Sequence, residues 1–394
     1  MSTDLLFTFN AGSSTVKIGL FSLEEAHARQ MASAVIDFRK DPPTLHVVKG
    51  TEISETVLKA TASDDLREVI AETFGWLAQH FDMSRVSAVG HRVVHGGDLF
   101  AGPVRIDDAS IEEIDGLTSL APLHQPQCLR LIRAIRHLKP DLPQTASFDT
   151  AFHRTNPDIV RRFAIPRALH DEGIRRYGFH GLSYKFIAGK MKRRMPDAAR
   201  GKVIAAHLGS GASLCGLDNG VSLDSSMGFS TLDGIPMATR CGALDPGVLL
   251  HLLGPLGRSA SELSDILYHQ SGLLGVSGIS ADSRELLASE RPEAREAIDL
   301  FTFRTAGEIT RIAATLGGLD ALVFTAGIGE NQPRIRADIC ARLAWLGLDI
   351  DETANAANSE RISSSSSRIA AFVIPTDEEQ IIADEALSVL TERV

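Results

Sequence analysis

Leu5-Leu6-Phe7-Thr8-Phe9-Asn10-Ala11-Gly12-Ser13-Ser14-Thr15-Val16-Lys17-Ile18-Gly19-Leu20-Phe21 reads as two short apolar strands joined by a small polar turn. A Gly/Ser turn lets anionic oxygen approach backbone N–H groups closely, because no bulky side chain stands in the way. It is therefore a candidate phosphate cradle. The pattern returns near mid-chain, where Val203-Ile204-Ala205-Ala206-His207-Leu208 runs into Gly209-Ser210-Gly211 and on through Ala212-Ser213-Leu214-Cys215-Gly216-Leu217. Asp218-Asn219-Gly220 then precedes a further strand-like run, Val221 to Leu223, and Asn-Gly between apolar runs is a strong hairpin signal. Either unit alone is also what an ordinary hairpin looks like. Their recurrence predicts two related domains facing one nucleotide.

A chain of 394 residues is too long for one ordinary core and fits two domains. With 44% hydrophobic and 23% charged residues it has the composition of a folded globular protein. The formal net charge of −10 argues against a nucleic-acid partner, yet leaves room for a local basic pocket that takes a small anion. No apolar run approaches a membrane span, and Asp4 stands where a secretory signal would carry Lys or Arg. A cytoplasmic protein with no membrane partner is expected. Cys128, Cys215, Cys241 and Cys340 lack CxxC spacing, which points to reduced thiols rather than disulfides or zinc ligation.

Between the two hairpins, Ala32 to Leu58 alternates weakly and predicts further strands and turns. A helix beginning at Ser63 or Asp64 carries Leu66, Val69, Ile70, Phe74, Leu77 and Phe81 on one face. Val86 to Val89 reads as a buried strand running into Gly90-His91-Arg92-Val93-Val94-His95-Gly96-Gly97, with its polar residues at the strand end, where α/β sheets place binding groups. His91 and His95 invite a zinc reading but have no evident third ligand. Arg92, among apolar neighbours, must either pair with a carboxylate or meet a ligand anion.

After the loop Leu120 to Pro126 comes a helix with Leu129, Ile132, Ile135 and Leu138 inside and Arg130, Arg133 and Arg136 outside, a solvated face. Thr145 to Phe152 is predicted as a strand bearing one carboxylate, Asp149, held either for structure or for chemistry. Tyr177-Gly178-Phe179-His180-Gly181 sets His180 between glycines, and Thr239-Arg240-Cys241-Gly242 puts a second arginine in a small-residue turn. A long amphipathic helix from Pro292 should stop at Gly317-Gly318. Asp320 to Thr325 is a strand opening into Ala326-Gly327-Ile328-Gly329-Glu330-Asn331, a turn that suits a nucleotide's phosphates or its sugar. Ser363 to Ser367 is a low-complexity loop without assigned chemistry, and Ile369 to Ile374 a last strand. Thr376 with Glu379 reads as a capping box for the final helix; Glu378 either serves that helix's dipole or faces a metal ion.

From Phe7 to about Ala383 this ordered set of motifs resembles the acetate and propionate kinase family, within the actin-like, sugar kinase and Hsp70 superfamily. The motifs that carry it are Asn10 to Ser14, Gly90 to Gly97, Phe148-Asp149-Thr150-Ala151-Phe152-His153, Tyr177 to Gly181 and Ala326 to Asn331. The resemblance implies an α/β protein of two RNase H-like, actin-like ATPase domains around a central cleft. Residues 1–150, completed by the C-terminal helix 379–394, would form the first; residues 151–378 would form the second, with the nucleotide site and a homodimer interface. The implied reaction is reversible, direct in-line transfer of the ATP γ-phosphoryl group to acetate or propionate, giving acyl phosphate and ADP. It would need magnesium, with manganese as a substitute.

By the same resemblance Arg92 and Arg240 hold the carboxylate and the transferring group, and His180 donates a hydrogen bond to that group. Asp149 would orient an arginine or the metal shell rather than act as a base, since a carboxylate nucleophile is already anionic at neutral pH. Asn10 and Glu378 match the metal positions. His207, Leu208, Gly209, Ser210 and Gly211 would bind ATP, with Asp282, Ser283 and Arg284, with Gly327, Ile328, Gly329, Glu330 and Asn331, and with Lys17 reaching the phosphates. Val94, Leu123 and Phe179 would meet the acyl methyl group. Ser210, Asp377, Leu182-Ser183-Tyr184 and Thr231 depart from the usual residues, and leave donor preference and acyl length open. Two other readings are a kinase of the same fold with another acceptor or a pyrophosphate donor, and a slow nucleotide-gated ATPase. A P-loop is disfavoured, because neither Gly189-Lys190 nor Gly201-Lys202 precedes Ser or Thr.

Overall fold

The computed structural model describes residues 4–12, 15–24, 27–61 and 66–391, so Ser13, Ser14 and the expected helix start at Ser63 or Asp64 lie outside the described residues. The chain forms two compact units, one from residues 1–152, 181–186 and 377–394, the other from residues 153–180 and 187–376.

The first unit contains β1 (Leu5–Ala11), β2 (Thr15–Glu24), β3 (His27–Asp37), β4 (Thr44–Lys49), β5 (Glu52–Val57), β6 (Val86–Val93), β7 (Val104–Arg105) and β8 (Gln144–Phe148). Their order across the sheet is β5-β4-β3-β2-β1-β6-β8-β7. β1 is antiparallel to β2 and parallel to β6, which is parallel to β8. Being central, β1 is buried on both faces, which is why it reads as a continuous apolar run. Side chains alternate across it. Phe7 and Phe9 meet Phe74 of the helix Arg67–Leu77 at ring-centroid separations of 6.0 and 6.2 Å. Leu6 joins Ala88, Ala383 and Ala386 on the opposite face, under the helix Glu378–Thr391. Gly90 admits that helix: a Cβ there would stand 2.8 Å from Ile382 Cγ2.

The second unit contains β9 (Lys202–Leu208), β10 (Ala212–Asp218), β11 (Val221–Ser225), β12 (Ala321–Thr325) and β13 (Ala370–Val373), in the order β11-β10-β9-β12-β13. β9, β10 and β11 are antiparallel neighbours; β12 runs parallel to β9, and β13 to β12. This repeats the arrangement β3-β2-β1-β6-β8, and both units are RNase H-like. The helix Pro292–Leu316 covers the sheet and ends on Gly317 at φ 70°, a left-handed conformation that glycine adopts without strain.

Three local expectations change. The segment Gly90-His91-Arg92 lies within β6 rather than beyond it, so Arg92 is held by a sheet ladder. The strand expected to run to Phe152 stops at Phe148, and Asp149–Thr155 winds into a 3-10 turn that swings the Asp149 carboxylate back to Arg92. The cap seen on the final helix is Asp377, which accepts from the Gln380 N–H at 2.9 Å, while Glu379 turns to Asn10.

Candidate active site

In the first unit, period-2 alternation puts Asn10 of β1 and Arg92 of β6 on the face covered by the final helix. Arg92 donates from Nη2 to Asp149 Oδ2 at 2.6 Å and from Nε to both carboxylate oxygens at 3.2 Å. Its Nη1 donates to the Ala11 carbonyl at 3.1 Å and to Asn10 Oδ1 at 3.4 Å. Asp149 is 1% exposed, so the pair is mutually required: burial alone works against both charges. Its Nε and Nη2 are thus taken up by Asp149, and Nη1 by Ala11 and Asn10. A two-pronged grip on a substrate carboxylate through the Nε edge is closed off, because Asp149 already occupies it.

Asn10 donates from Nδ2 to Glu378 Oε2 at 2.7 Å and to Glu379 Oε1 at 3.0 Å. Its oxygen faces Arg92, so as placed Asn10 orients carboxylates instead of offering an oxygen ligand. Lys17 sits across the hairpin from Asn10. Burial raises the Glu379 carboxyl above its usual range; the Lys17 charge and the Asn10 bond oppose this, and Glu378 adds to it. Two adjacent carboxylates on one amide are an oxygen-donor set suited to a hard divalent cation. Glu379 escapes a sequence reading because its partner lies 369 positions away.

His91 and His95 take no part in such a set. His91 Nε2 lies 2.7 Å from Gln144 Oε1 and its ring stacks on Phe9, and His95 Nδ1 accepts from the Gly97 N–H at 2.9 Å. Val94 is buried just beyond β6, and Leu123 is exposed in the loop before the helix Gln125–Leu138.

In the second unit, His180 and Arg240 converge on the turn between β9 and β10. A Cβ on Gly211 would stand 2.7 Å from Arg240 Nη2 and 3.4 Å from His180 Nε2. His180 Nδ1 lies 2.7 Å from Ser213 Oγ, and its ring stacks on His207 at 4.2 Å. Arg240 Nη1 donates to the Thr231 carbonyl at 2.8 Å, so Thr231 acts here through its backbone. Phe179, beside His180, is buried, as is Leu208, whose side chain belongs to the core. Ser210 is exposed at the turn's tip, and its carbonyl accepts from Ala238 N–H at 3.2 Å. Ser213, on the strand leaving the turn, carries no signal in its sequence context.

At the end of β12, Glu330 Oε1 accepts from the Ala326 N–H at 2.8 Å, the Thr376 N–H at 3.2 Å and Thr325 Oγ1 at 3.4 Å. The negative charge at this turn is therefore already supplied by the protein, which disfavours a phosphate here. Space above Gly327 is open, since a Cβ there would meet nothing within 4 Å; Gly329 by contrast is buried against the strand backbone. Asn331 Nδ2 donates to the Gly327 carbonyl at 3.0 Å. Asp282 caps the helix Ser283–Ala288 by accepting from Arg284 N–H at 2.8 Å and pairs with the exposed Arg284 guanidinium; Ser283 is buried between them.

The chain is similar to proteins of known class over nearly its whole length. An acetate kinase of Rhodopseudomonas palustris is 48% identical, with 97% of each chain covered, and one of Nitrobacter hamburgensis is 46% identical, covering 99% of this chain and 97% of its own. Among solved structures, a propionate kinase from Francisella tularensis matches with a TM-score of 0.90 at 36% identity, covering 97% of this chain and 98% of its own. The acetate kinase of Porphyromonas gingivalis matches with a TM-score of 0.86 at 32% identity, covering 98% and 100%. The profile of the Acetokinase family matches residues 5–384, and the chain belongs to that family.

Proposed function

We propose that the protein transfers the γ-phosphoryl group of ATP to acetate or propionate, reversibly, giving acyl phosphate and ADP. The observation that carries this reading is the meeting of Arg240 Nη2 and His180 Nε2 over the bare Cα of Gly211. Two nitrogen donors aimed at a glycine turn suit a group whose charge is spread over three equatorial oxygens. The acid needs no base, being ionised already, and Asp149 is committed to Arg92 in any case. Arg92 supplies its charge to relieve repulsion between the acid and the incoming phosphate. A Ser213 hydroxyl that donates to His180 Nδ1 leaves the imidazole proton on Nε2, the nitrogen facing the turn.

Glu378 and Glu379, oriented by Asn10, would hold magnesium, which manganese could replace; bound there, the ion would neutralise phosphate charge. Gly209, Ser210 and Gly211, with Lys17, would take the phosphates. The open turn at Gly327 and Ile328, with Asp282 to Arg284, would take the sugar and base. Val94, Leu123 and Phe179 would bound the acyl methyl, where one methylene discriminates by only about 1–3 kcal/mol. A homodimer through the second unit is supported by Leu244, Val248, Leu250, Leu253 and Leu256, all exposed within one segment. Four free cysteines support a reducing, cytoplasmic setting.

The test is hydroxylamine trapping of acyl phosphate with Mg-ATP and acetate, propionate or butyrate, against a control without acid. Trapped product with a short acid is expected; ADP release that ignores the acid would overturn the assignment in favour of an ATPase.

A further inference from the structure

His180 is a non-glycine residue in the left-handed region, at φ 56° and ψ 26°. For such a residue that conformation costs on the order of 1–2 kcal/mol, so its surroundings must hold it there. The peptide plane entering His180 carries the Phe179 carbonyl, and this oxygen lies 2.9 Å from Nε2 of His153. A carbonyl offers no proton, so His153 Nε2–H is the donor. Ser222 Oγ stands 2.9 Å from His153 Nδ1 and 2.8 Å from the Asn156 side-chain amide, closing the ring's other side.

The same imidazole shapes the chain one residue earlier. Gly178 has φ 84°, and a Cβ there would come within 2.6 Å of His153 Cγ and Cδ2. Residues 178 to 180 therefore lean on one buried ring, which is 1% exposed. Burial depresses its pKa to about 4, with the Phe179 carbonyl opposing, so it stays a neutral, single-proton donor at physiological pH.

We infer that His153 is a positioning residue: its Nε2–H fixes the Phe179 carbonyl and through that peptide sets the placement of the His180 imidazole. The inference rests on the reading of His180 as a donor to the transferring phosphoryl group, and goes beyond it by naming what holds that donor. Ser213 anchors the His180 ring at Nδ1; His153 anchors the backbone from which it springs.

The test compares His153→Gln, His153→Asn and His153→Phe with the parent protein. Gln carries an amide donor to about the reach of Nε2, whereas Asn reaches only the Nδ1 side and Phe carries no donor. Two readouts are taken: the His180 ring signals in NMR, assigned by their loss in His180→Ala, and steady-state kcat with KM for ATP. In the Asn and Phe variants the His180 signals should shift and kcat should fall about 30-fold with KM for ATP within about 2-fold, as expected for a donor misplaced by a fraction of an ångström. Gln should restore both to near the parent values. Unmoved His180 signals in folded Asn or Phe variants, or a Gln variant no better than Asn, would overturn the inference. If His153→Phe fails to fold, the Gln and Asn pair decides. Shifted signals together with full kcat in His180→Ala would leave the positioning intact and remove the catalytic reading of His180 instead.

Discussion

The two sheets place their strand ends in the same topological positions but tie them with opposite charges. Phe9 pairs with His91 across β1 and β6, as Ala206 pairs with Phe324 across β9 and β12, so Arg92 and Thr325 occupy corresponding places one residue on. In the first unit the Arg92 guanidinium bridges to Asp149, beyond β8. In the second, the Glu330 carboxylate gathers Thr325 and Ala326 and reaches Thr376, beyond β13. One unit thus offers a cation set among carboxylates, and the other a turn whose donors are already satisfied by an anion. The fold supplies the location, and the side chain that closes the gap between strand ends decides whether that location carries a cation or an anion.

The comparison breaks most readily at Arg92. Arg92→Ala should abolish detectable turnover and destabilise the first unit by about 3–5 kcal/mol, because Asp149 is left charged and buried. The double variant Arg92→Ala with Asp149→Ala should recover most of that stability and none of the activity. Equal denaturation midpoints for the single and double variants would show that the pair is not the tie described. At the tie that closes the strand ends in the second unit, Glu330→Ala should raise KM for ATP about 10-fold and cost about 1–3 kcal/mol through its orphaned backbone N–H groups. Glu330→Gln keeps an acceptor oxygen and should stay within about 3-fold of the parent. A Gln variant as impaired as Ala would mean that the charge, not the tie, is what matters.

The smallest effect concerns acid. Burial depresses His91, His95 and His153 to about 4, against about 6.5 in an unfolded chain. Each is a cation favoured in the unfolded state, so the stability they confer is complete above pH 6.5 and is lost as pH falls towards 4. Two of the three lie in the first unit, which should therefore lose amide-exchange protection faster between pH 7 and pH 5, after correction for intrinsic rates. Equal losses in both units would contradict this.

Much of the fold is legible in residues close together in sequence. The two hairpins declare themselves through apolar runs broken by Gly and Ser, and Gly317 announces the end of its helix. The turn at Asp149 is not legible, because nothing near it in sequence reveals that Arg92 draws its carboxylate back; local pattern there permits a longer strand. The candidate site residues divide in the same way. Arg92, His180 and Arg240 stand out by residue type among small or apolar neighbours, while Glu379 and Ser213 acquire meaning only from partners brought by the fold, Asn10 and His180. Glu330 is legible as a member of the turn, but its place inside the turn's own hydrogen bonding is a three-dimensional fact.

The helix Glu378–Thr391 seals the sheet that begins at Leu5, with Ile382, Ala383 and Ala386 buried in its core. During synthesis the first unit must therefore wait, with one face of its opening strands uncovered, until this helix has been made. The second unit, complete at Thr376, has all its sequence before the first does, reversing the usual N-terminal-first order of domain folding. Glu378 and Glu379 arrive on that same final segment. A chain that stops before Glu378 thus lacks the cover on its first core and both carboxylates that Asn10 holds.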